Sequence, residues 1–378
     1  MKVLFVNNDP TVLAGLKGAL RRYRSQWRMA FVRGPEAVRA LQQEHIDVVV
    51  AELDVEGPLG GSLLEMVAEE YPSTIRVVLS ATADVRDVMR IVPHAHQYVS
   101  MPVDPSELIQ RIERSEALRN LMREDRVRAL GALNRLPTHH RIVDQLRSAL
   151  QDPDILIDDV GHIIQRDPAM SAKILQLVNS AFFTRNRRVT NIRDAVSYLG
   201  LNLIEGLVLQ IGLVSSFEQI NGVSLQRFQL HGLAVANIAR RLVNSALAEV
   251  TFTSGLVHDV GKLVLALAFG GRYRQITAAA ESGTRRIWRL EREELGVTHP
   301  EAGAYVLGVW GLPLAVVEGV AWHHHPCEVE RTGMDVVAAV HLADAIVHGN
   351  HADRELVKQL SLRDQLIQWR RQFQQEVA

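Results

Sequence analysis

The chain has 378 residues and a nearly even charge balance, with 42 Lys and Arg against 43 Asp and Glu. The formal charge of -1 gives no field that favours nucleic acid or an anionic membrane, and 5% aromatic residues disfavour a stacking surface for single strands. With 47% hydrophobic and 22% charged residues, the composition excludes disordered and fibrous classes.

A single cysteine, Cys327, excludes an internal disulfide and a thiolate metal cluster. The first apolar run, at 1–6, is too short for the core of a signal peptide. Polar residues interrupt the apolar run 255–269, so no segment is expected to span a bilayer. We therefore expect a cytoplasmic protein without a membrane partner.

Residues 1–104 alternate short apolar runs with amphipathic stretches. The apolar runs predict five strands, at 2–6, 29–32, 46–50, 76–79 and 97–100. The amphipathic stretches predict helices at 10–23, 62–71 and 85–92. Because continuous apolar strands must be buried on both faces, this alternation predicts an α/β doubly wound parallel sheet, whose functional edge lies at the carboxyl ends of the strands.

Distinctive residues follow or close four of these strands. Asn7 and Asn8 follow the first, Glu52 ends the third, Ser80 closes the fourth, and Met101 follows the fifth. The order of elements and these strings resemble the receiver domain of bacterial response regulators, a flavodoxin-like fold phosphorylated on an aspartate. The resemblance puts Asn7 and Asn8 at the two positions where the family has acidic residues that hold magnesium, and Glu52 at the position of the phosphoacceptor aspartate. It puts Ser80 at the position of the family's hydroxyl residue and Met101 at the position of the family's lysine.

These substitutions remove the chemistry of phosphoryl transfer. Such transfer needs carboxylates to hold magnesium and a fixed cation to offset the charge of the phosphoryl group. Asn7, Asn8 and Met101 supply neither, so a degenerate site is expected. Glu52, a permanent anion, could imitate a modified state. We favour a plain docking or dimerisation module, because a switch requires two states that differ in free energy.

Residues 105–135 have the pattern of one long charged helix. Apolar positions recur among dense Arg and Glu, at Leu108, Ile112, Leu118, Leu121, Met122 and Leu130. The pattern predicts a helical linker between a domain at 1–104 and a second at 136–378, and its apolar positions indicate a homodimer stalk.

Beyond residue 136 amphipathic helices run to the end of the chain without a strand pattern, so the second domain is expected to be all helical. Asp167 is expected to cap one helix, with Pro168 at its first position.

The most informative string is GLVHDVGK at 255–262. Adjacent His258 and Asp259 can reach one divalent ion, and imidazole with carboxylate suits iron, manganese, nickel or zinc. Such residues inside a helical bundle can form one or two metal sites, where a bridging water becomes a nucleophile for a phosphodiester. Further candidate ligands lie at helix-sized separations: His231, His299, His323, His324 and Asp344.

Each candidate also has a structural interpretation. His299 alone is more often a helix-end residue than a ligand, and Lys262 could contact a phosphate, cap a helix or extend along apolar surface. His325, before Pro326, is interpreted as structural. No role is assigned to seven other histidines: His94, His96, His139, His140, His162, His348 and His351.

Several strings in this half resemble an HDOD domain: RDPAMSAKILQLVNSA at 166–181, IRDAVSYLG at 192–200, GLVHDVG at 255–261 and GVWGLP at 308–313. That family is a helical relative of the HD phosphohydrolases, generally regarded as regulatory and non-catalytic, and it occurs fused to receiver domains in bacterial signalling proteins. Resemblance to the related HD-GYP phosphodiesterases of cyclic di-GMP implies the ligand order His231, His258, Asp259, His299, His323, His324 and Asp344. Their Gly-Tyr-Pro substrate motif is missing, since residues 325–333 have another sequence.

Two classes of function follow. The first is a signal-transduction regulator, in which a degenerate receiver and an HDOD scaffold bind other signalling proteins or a nucleotide second messenger. The missing motif and the family's usual role favour this class. The alternative is a metal-dependent phosphohydrolase acting on a nucleotide or cyclic dinucleotide, with Lys262 near the phosphate. Direct DNA binding is not expected, because no basic patch or recognition helix is evident.

Overall fold

The structure is a computed structural model. It describes residues 1–23, 26–52, 55, 62–80, 94–101, 104–120, 130, 136–152, 154–179, 189–212, 219–283 and 285–377. Its internal contacts divide the chain into two compact units. Unit 1 comprises Met1–Arg135, Gln176–Arg187 and Gly308–Gly311. Unit 2 comprises Leu136–Leu175, Arg188–Leu307 and Leu312–Ala378.

Unit 1 contains a parallel five-stranded sheet in the order β2-β1-β3-β4-β5. In the register of the sheet, Phe5 lies opposite Phe31 on one side and Val50 on the other. This order is that of flavodoxin-like sheets, so the predicted fold class is confirmed. All five predicted strands are present: β1 (Lys2–Val6), β2 (Arg28–Val32), β3 (Val48–Glu52), β4 (Ile75–Ser80) and β5 (Gln97–Ser100).

The helices of this unit begin where the sequence supplies caps. Asp9 accepts a hydrogen bond from the backbone N–H of Thr11 at 2.7 Å, and Pro10 occupies the first helical position. The predicted helix at 85–92 lies outside the described residues, and the helix at 34–43 was not predicted. The described helices are α1 (Pro10–Ala19), followed by a 3-10 turn (Leu20–Tyr23), α2 (Gly34–Gln43), α3 (Leu63–Glu70) and α4 (Pro105–Asn120).

Helix α4 forms the first half of the predicted linker, while 121–129 and 131–135 lie outside the described residues. Leu108, Ile112 and Leu130 are buried within the chain. These three positions are therefore engaged in internal packing, and the predicted homodimer stalk depends on Leu118, Leu121 and Met122.

From residue 136 onward the chain is mostly helical, as predicted. The described helices are α5 (His140–Leu150), α6 (Ile157–Ile164), α7 (Pro168–Val178), α8 (Ile192–Leu199), α9 (Leu201–Gly212), α10 (Leu225–Ala239), α11 (Ser245–Val257), α12 (Val260–Phe269), α13 (Gly271–Ser282), α14 (Ile287–Leu295), α15 (His299–Val309), α16 (Leu314–Trp322), α17 (Val336–Val347), α18 (Arg354–Gln359) and α19 (Arg363–Val377).

One short hairpin corrects the expectation that this region has no strands. Its strands are Gln219–Ile220 and Val223–Ser224, and they are antiparallel. The turn residues Asn221 and Gly222 have φ angles of 44° and 91°. Positive φ at both turn positions is what Asn-Gly favours in a two-residue hairpin, so this dipeptide was a local signal that the sequence analysis overlooked.

Four helices, α10, α11, α16 and α17, pack against one another at the centre of unit 2. Helix α17 is buried on every side, because each residue from Val336 to Ile346 is buried. Its start is defined by Asp335, whose side chain accepts a hydrogen bond from the backbone N–H of Ala338 at 2.7 Å. This packing holds the ends of the four helices close together.

The run Ser245–Phe269 is long and apolar enough to cross a membrane when it is judged by length and composition alone. The mean hydropathy of its most apolar window is 1.3. However, 78% of its most apolar window is buried inside the protein, as in the core helix of a globular fold. The polar residues in this run therefore do not exclude a span by themselves. The observation against a span is the burial of the run.

Asp167 caps α7 as predicted, since its side chain accepts a hydrogen bond from the backbone N–H of Met170 at 2.8 Å. It also accepts a hydrogen bond from Gln229 on α10, at 2.6 Å. Burial raises the pKa of Asp167 to about 6. The protonated form is therefore stabilised in the folded state relative to the unfolded state.

This raised pKa predicts a pH dependence of stability. Between about pH 4 and pH 6 the unfolded chain releases a proton that folded Asp167 retains, so the free energy of unfolding falls as pH rises. We expect Asp167→Asn to reduce the stability lost between pH 4 and pH 7 by on the order of 2 kcal/mol. Urea denaturation at each pH, with Asp158→Asn on an exposed first turn as control, measures the difference. Parallel pH profiles for wild type and Asp167→Asn would contradict the prediction.

Candidate metal centre

The structure brings all seven predicted ligands into one cluster inside unit 2. The packed helices place them there, because most lie at or near helix ends that meet at one point. His231 lies within α10, His258 and Asp259 join α11 to α12, His299 begins α15, His323 and His324 follow α16, and Asp344 lies in α17.

Three of the ligands form a group that we call position 1: His231, His258 and Asp344. The Nε2 atom of His231 lies 3.2 Å from Nε2 of His258 and 3.1 Å from Oδ1 of Asp344. One ligand atom from each residue lies within 4.8 Å of the others, which is close enough to share one metal ion.

A second group, position 2, consists of His299, His323 and His324. Nε2 of His324 lies 3.2 Å from Nε2 of His299, and the three ligand atoms again lie within 4.8 Å of one another. Three imidazole nitrogens suit a divalent transition metal.

Asp259 lies between the two positions. Its Oδ2 atom is 3.6 Å from Nε2 of His231 and 3.5 Å from Nε2 of His258. Its Oδ1 atom is 3.2 Å from Nε2 of His299 and 3.8 Å from Nε2 of His323. One carboxylate oxygen therefore faces each position, the arrangement that a carboxylate shared by two ions requires.

The hydrogen bonds of three histidines determine which ring nitrogen enters the cluster. His258 and His323 each place Nδ1 against the carbonyl oxygen of the third preceding residue, at 2.6 and 2.8 Å. His299 places Nδ1 against a carboxylate oxygen of Glu291 at 2.7 Å. Carbonyl and carboxylate oxygens only accept hydrogen bonds, so Nδ1 of each ring carries a proton and Nε2 is the nitrogen that faces the cluster.

His323 supplies the observation that tests whether a metal fits. Its Nε2 atom is buried and has no hydrogen-bond partner among the described residues. Burial lowers the pKa of His323 and of His324 well below the usual histidine range, so both rings are neutral. A buried, unprotonated and unpaired nitrogen costs free energy unless something binds it, and a metal ion satisfies that requirement.

The two aspartates are ionised. Burial alone would raise the pKa of Asp259, but Lys262 and the nearby histidines hold it well below its usual range. Burial would likewise raise the pKa of Asp344, yet its hydrogen bonds with histidines hold it well below the ordinary value. Lys262 places Nζ 2.5 Å from Oδ2 of Asp259, so this lysine neutralises the shared carboxylate.

The sequence analysis missed Glu291, on α14. Its Oε2 atom accepts hydrogen bonds from the backbone N–H of His299 at 2.8 Å and from Nδ1 of the same residue, while its Oε1 atom accepts one from Tyr273 at 2.8 Å. Burial alone would raise the pKa of Glu291, but His299 holds it below its usual value. No sequence signal pointed to Glu291, because its helix lies outside the quoted motifs.

His348, to which no role was assigned, also contacts the cluster. Its Nδ1 atom lies 2.9 Å from Oδ1 of Asp344, and its ring centroid lies 4.3 Å from that of His231. The hydrogen bond with Asp344 raises the pKa of His348. Its spacing of four residues from Asp344 was a signal, because residues four apart share one face of a helix. His325, by contrast, is exposed and takes no part in either position.

The residues predicted to form a degenerate phosphorylation site lie at the carboxyl edge of the sheet in unit 1. Asn7 is buried, and its side-chain oxygen accepts a hydrogen bond from the backbone N–H of Asp9 at 2.7 Å. The side-chain oxygen of Asn8 accepts one from the N–H of Gly34 at 3.3 Å. These side-chain amides therefore make hydrogen bonds that stabilise the loop after β1. The other predicted residues are Glu52 at the end of β3, Ser80 at the end of β4 and Met101 after β5.

Comparison with known proteins identifies two domains. A family model described as HDOD domain matches residues 136–326, and one described as response regulator receiver domain matches residues 3–113. A Treponema pallidum (strain Nichols) protein described only as uncharacterized is 26% identical over 185 residues. The match covers 48% of this chain and 36% of that protein, so the chain spans about a third of the relative's length.

A solved response-regulator structure shows the same fold for part of the chain. The MmoQ response regulator from Methylococcus capsulatus is 21% identical, with a TM-score of 0.51, and the match covers 62% of this chain and 97% of that one. An HDOD domain protein of unknown function from Geobacter sulfurreducens is 22% identical, with a TM-score of 0.35, over 70% of this chain and 98% of that one.

Proposed function

Because the chain belongs to the HDOD domain family and carries a receiver domain ahead of its HDOD domain, we propose that it is a signal-transduction regulator with a metal-dependent phosphohydrolase centre. This proposal reverses the order of the two functions that the sequence favoured. The observation that carries it is the shared position of Asp259 between two groups of histidine Nε2 atoms. Sequence spacing alone gave no evidence of that geometry.

Iron, manganese, nickel or zinc suits these ligands, and such ions activate a bound water for attack on phosphorus. His231, His258 and Asp344 would hold one ion, and His299, His323 and His324 the other, with Asp259 shared. Three carboxylates, counting Glu291, against Lys262 leave two negative charges when the histidines are neutral. Two divalent ions would reverse that balance to two positive charges, which favours an anionic phosphoester.

The substrate class in this proposal is a phosphoester such as a nucleotide, and not cyclic di-GMP in particular. Residues Pro326–Glu328 form a 3-10 turn, which only His325 separates from the pair His323 and His324. HD-GYP enzymes carry their substrate motif in this stretch. A second candidate function, a binding scaffold for signalling proteins or a nucleotide messenger, is supported by this missing motif and by the degenerate receiver. Homodimerisation through the linker and a cytoplasmic location remain part of the proposal.

Elemental analysis of protein purified without chelator tests the proposal. We expect about two equivalents of iron, manganese, nickel or zinc in the wild type and loss of both in a His258→Ala, Asp259→Ala double variant, because Asp259 faces both positions. Hydrolysis of bis(p-nitrophenyl) phosphate is expected to fall at least about 100-fold in the double variant.

The matched control is His140→Ala with Asp144→Ala, which removes the same residue types from α5, outside the cluster. It is expected to retain metal and turnover. A wild-type protein that holds no metal, and gains no activity when each of the four metals is added, would contradict the proposal and favour the scaffold.

A further inference from the structure

The two positions differ in the negative charge available to them. Position 1 includes its own carboxylate, Asp344, and also faces Asp259. Position 2 consists of three imidazoles, and among the described residues Asp259 is the only carboxylate that faces their Nε2 atoms. A divalent ion at position 2 therefore gains less charge compensation from its ligands than an ion at position 1.

Glu291 lies directly behind position 2. It is fully buried, and it contacts His299 twice, through the backbone N–H and through Nδ1. Its other oxygen accepts a hydrogen bond from the hydroxyl of Tyr273, which is also buried. The carboxylate is therefore fixed by two helices, α13 and α14, and cannot turn away from the ring without leaving a buried hydrogen bond unmade.

This contact decides the orientation of the His299 ring and the proton on its Nδ1. If Nδ1 lacked a proton, it and the Glu291 carboxylate would face each other as two acceptors at 2.7 Å. The opposite nitrogen, Nε2, therefore faces the cluster, where Oδ1 of Asp259 and Nε2 of His324 each lie 3.2 Å away. A carboxylate behind an imidazole also raises the basicity of the nitrogen on the far side of the ring.

We propose that Glu291 is a positioning residue that makes position 2 a metal site by acting through His299. The inference rests on the proposed function, which requires two bound ions. Glu291 orients the ring so that Nε2 faces position 2, and it supplies the negative charge that position 2 lacks in its direct ligands. Tyr273 holds the carboxylate in place. The paired action of Glu291 and His299 resembles the carboxylate behind a histidine ligand that is common at protein metal sites.

The test is a calorimetric titration of chelator-treated full-length protein with Mn²⁺ and, in a separate experiment, with Zn²⁺. In Glu291→Gln we expect affinity at position 2 to fall about 10- to 100-fold and affinity at position 1 to change less than about threefold. Nitrogen-15 spectra of the histidine rings in the metal-free protein are expected to show that Nδ1 of His299 is no longer uniformly protonated. A purely structural role would lower the melting temperature and weaken both positions together.

Glu294→Gln is the matched control, since Glu294 is an exposed residue on the same helix, and it is expected to bind as the wild type does. Tyr273→Phe keeps the carboxylate and serves if Glu291→Gln fails to fold; a fall of about threefold at position 2 alone is expected. Two bound ions with unchanged affinities and an unchanged His299 tautomer in both variants would overturn this inference but leave the proposed function standing. A wild type that binds neither metal would overturn both.

Discussion

Asp259→Asn is expected to weaken metal binding at both positions, whereas Asp344→Asn is expected to weaken only position 1. The reason is geometric, because Oδ2 of Asp259 faces His231 and His258 while Oδ1 faces His299. Position 2 would lose the only carboxylate that faces its Nε2 atoms among the described residues, since Glu291 lies behind His299, and it is expected to bind at least about 100-fold more weakly. Position 1 keeps Asp344 and is expected to lose less. Metal titration of the two variants measures each position separately.

Asp364→Asn provides the control, because Asp364 is exposed on the first turn of α19 and takes no part in the cluster. Equal losses at both positions in Asp344→Asn, or full occupancy of position 2 in Asp259→Asn, would contradict the shared carboxylate. Lys262 provides a further consequence: its ion pair with Asp259 is removed in Asp259→Asn, so its pKa, which Asp259 raises despite burial, is expected to fall.

Gly261→Ala is expected to lower the free energy of unfolding by at least about 3 kcal/mol and to remove metal. A Cβ atom at Gly261 would lie 1.8 Å from the backbone oxygen of His299, so the helix that begins at His299 must move. Gly303, on that same helix, also lies against Gly261, since its Cβ would lie 3.0 Å from the Gly261 nitrogen. These glycines let α12 and α15 come together, which brings His299 to Asp259.

Gly271→Ala is the matched control, because a Cβ there meets nothing within 4 Å and the residue begins a helix. We expect the stability of Gly271→Ala to lie within about 1 kcal/mol of the wild type. Urea denaturation followed by circular dichroism, with metal analysis of the same samples, compares the two variants. Similar stabilities for both would show that the helices adjust to the added methyl group without cost.

Much of unit 1 could be predicted from local pattern. Each strand is a short apolar run bounded by polar residues, and such a run predicts a strand from local sequence alone. Helix α2 was missed although its amphipathic spacing is strong, with Ala37 and Leu41 buried on one face. The hairpin at Asn221 and Gly222 was missed because its strands are only two residues long.

The candidate metal ligands were nominated for a different reason. His258 and Asp259 are adjacent, and the histidines and Asp344 match a known order of ligands, so residue type and sequence order were sufficient to nominate them. The division into two positions was not predictable. It depends on which oxygen of Asp259 faces which ring, and those distances are set by the packing of α10, α11, α16 and α17.

The sequence by itself therefore determined the fold class, the loss of the phosphorylation residues and the identity of the seven candidate ligands, because these depend on local periodicity and residue chemistry. Only the tertiary structure decided that Glu291 stands behind His299 and that Gly261 must lack a side chain. Both are contacts between helices that are separated in the chain. Their distances arise from close packing of the whole domain, which no local pattern encodes.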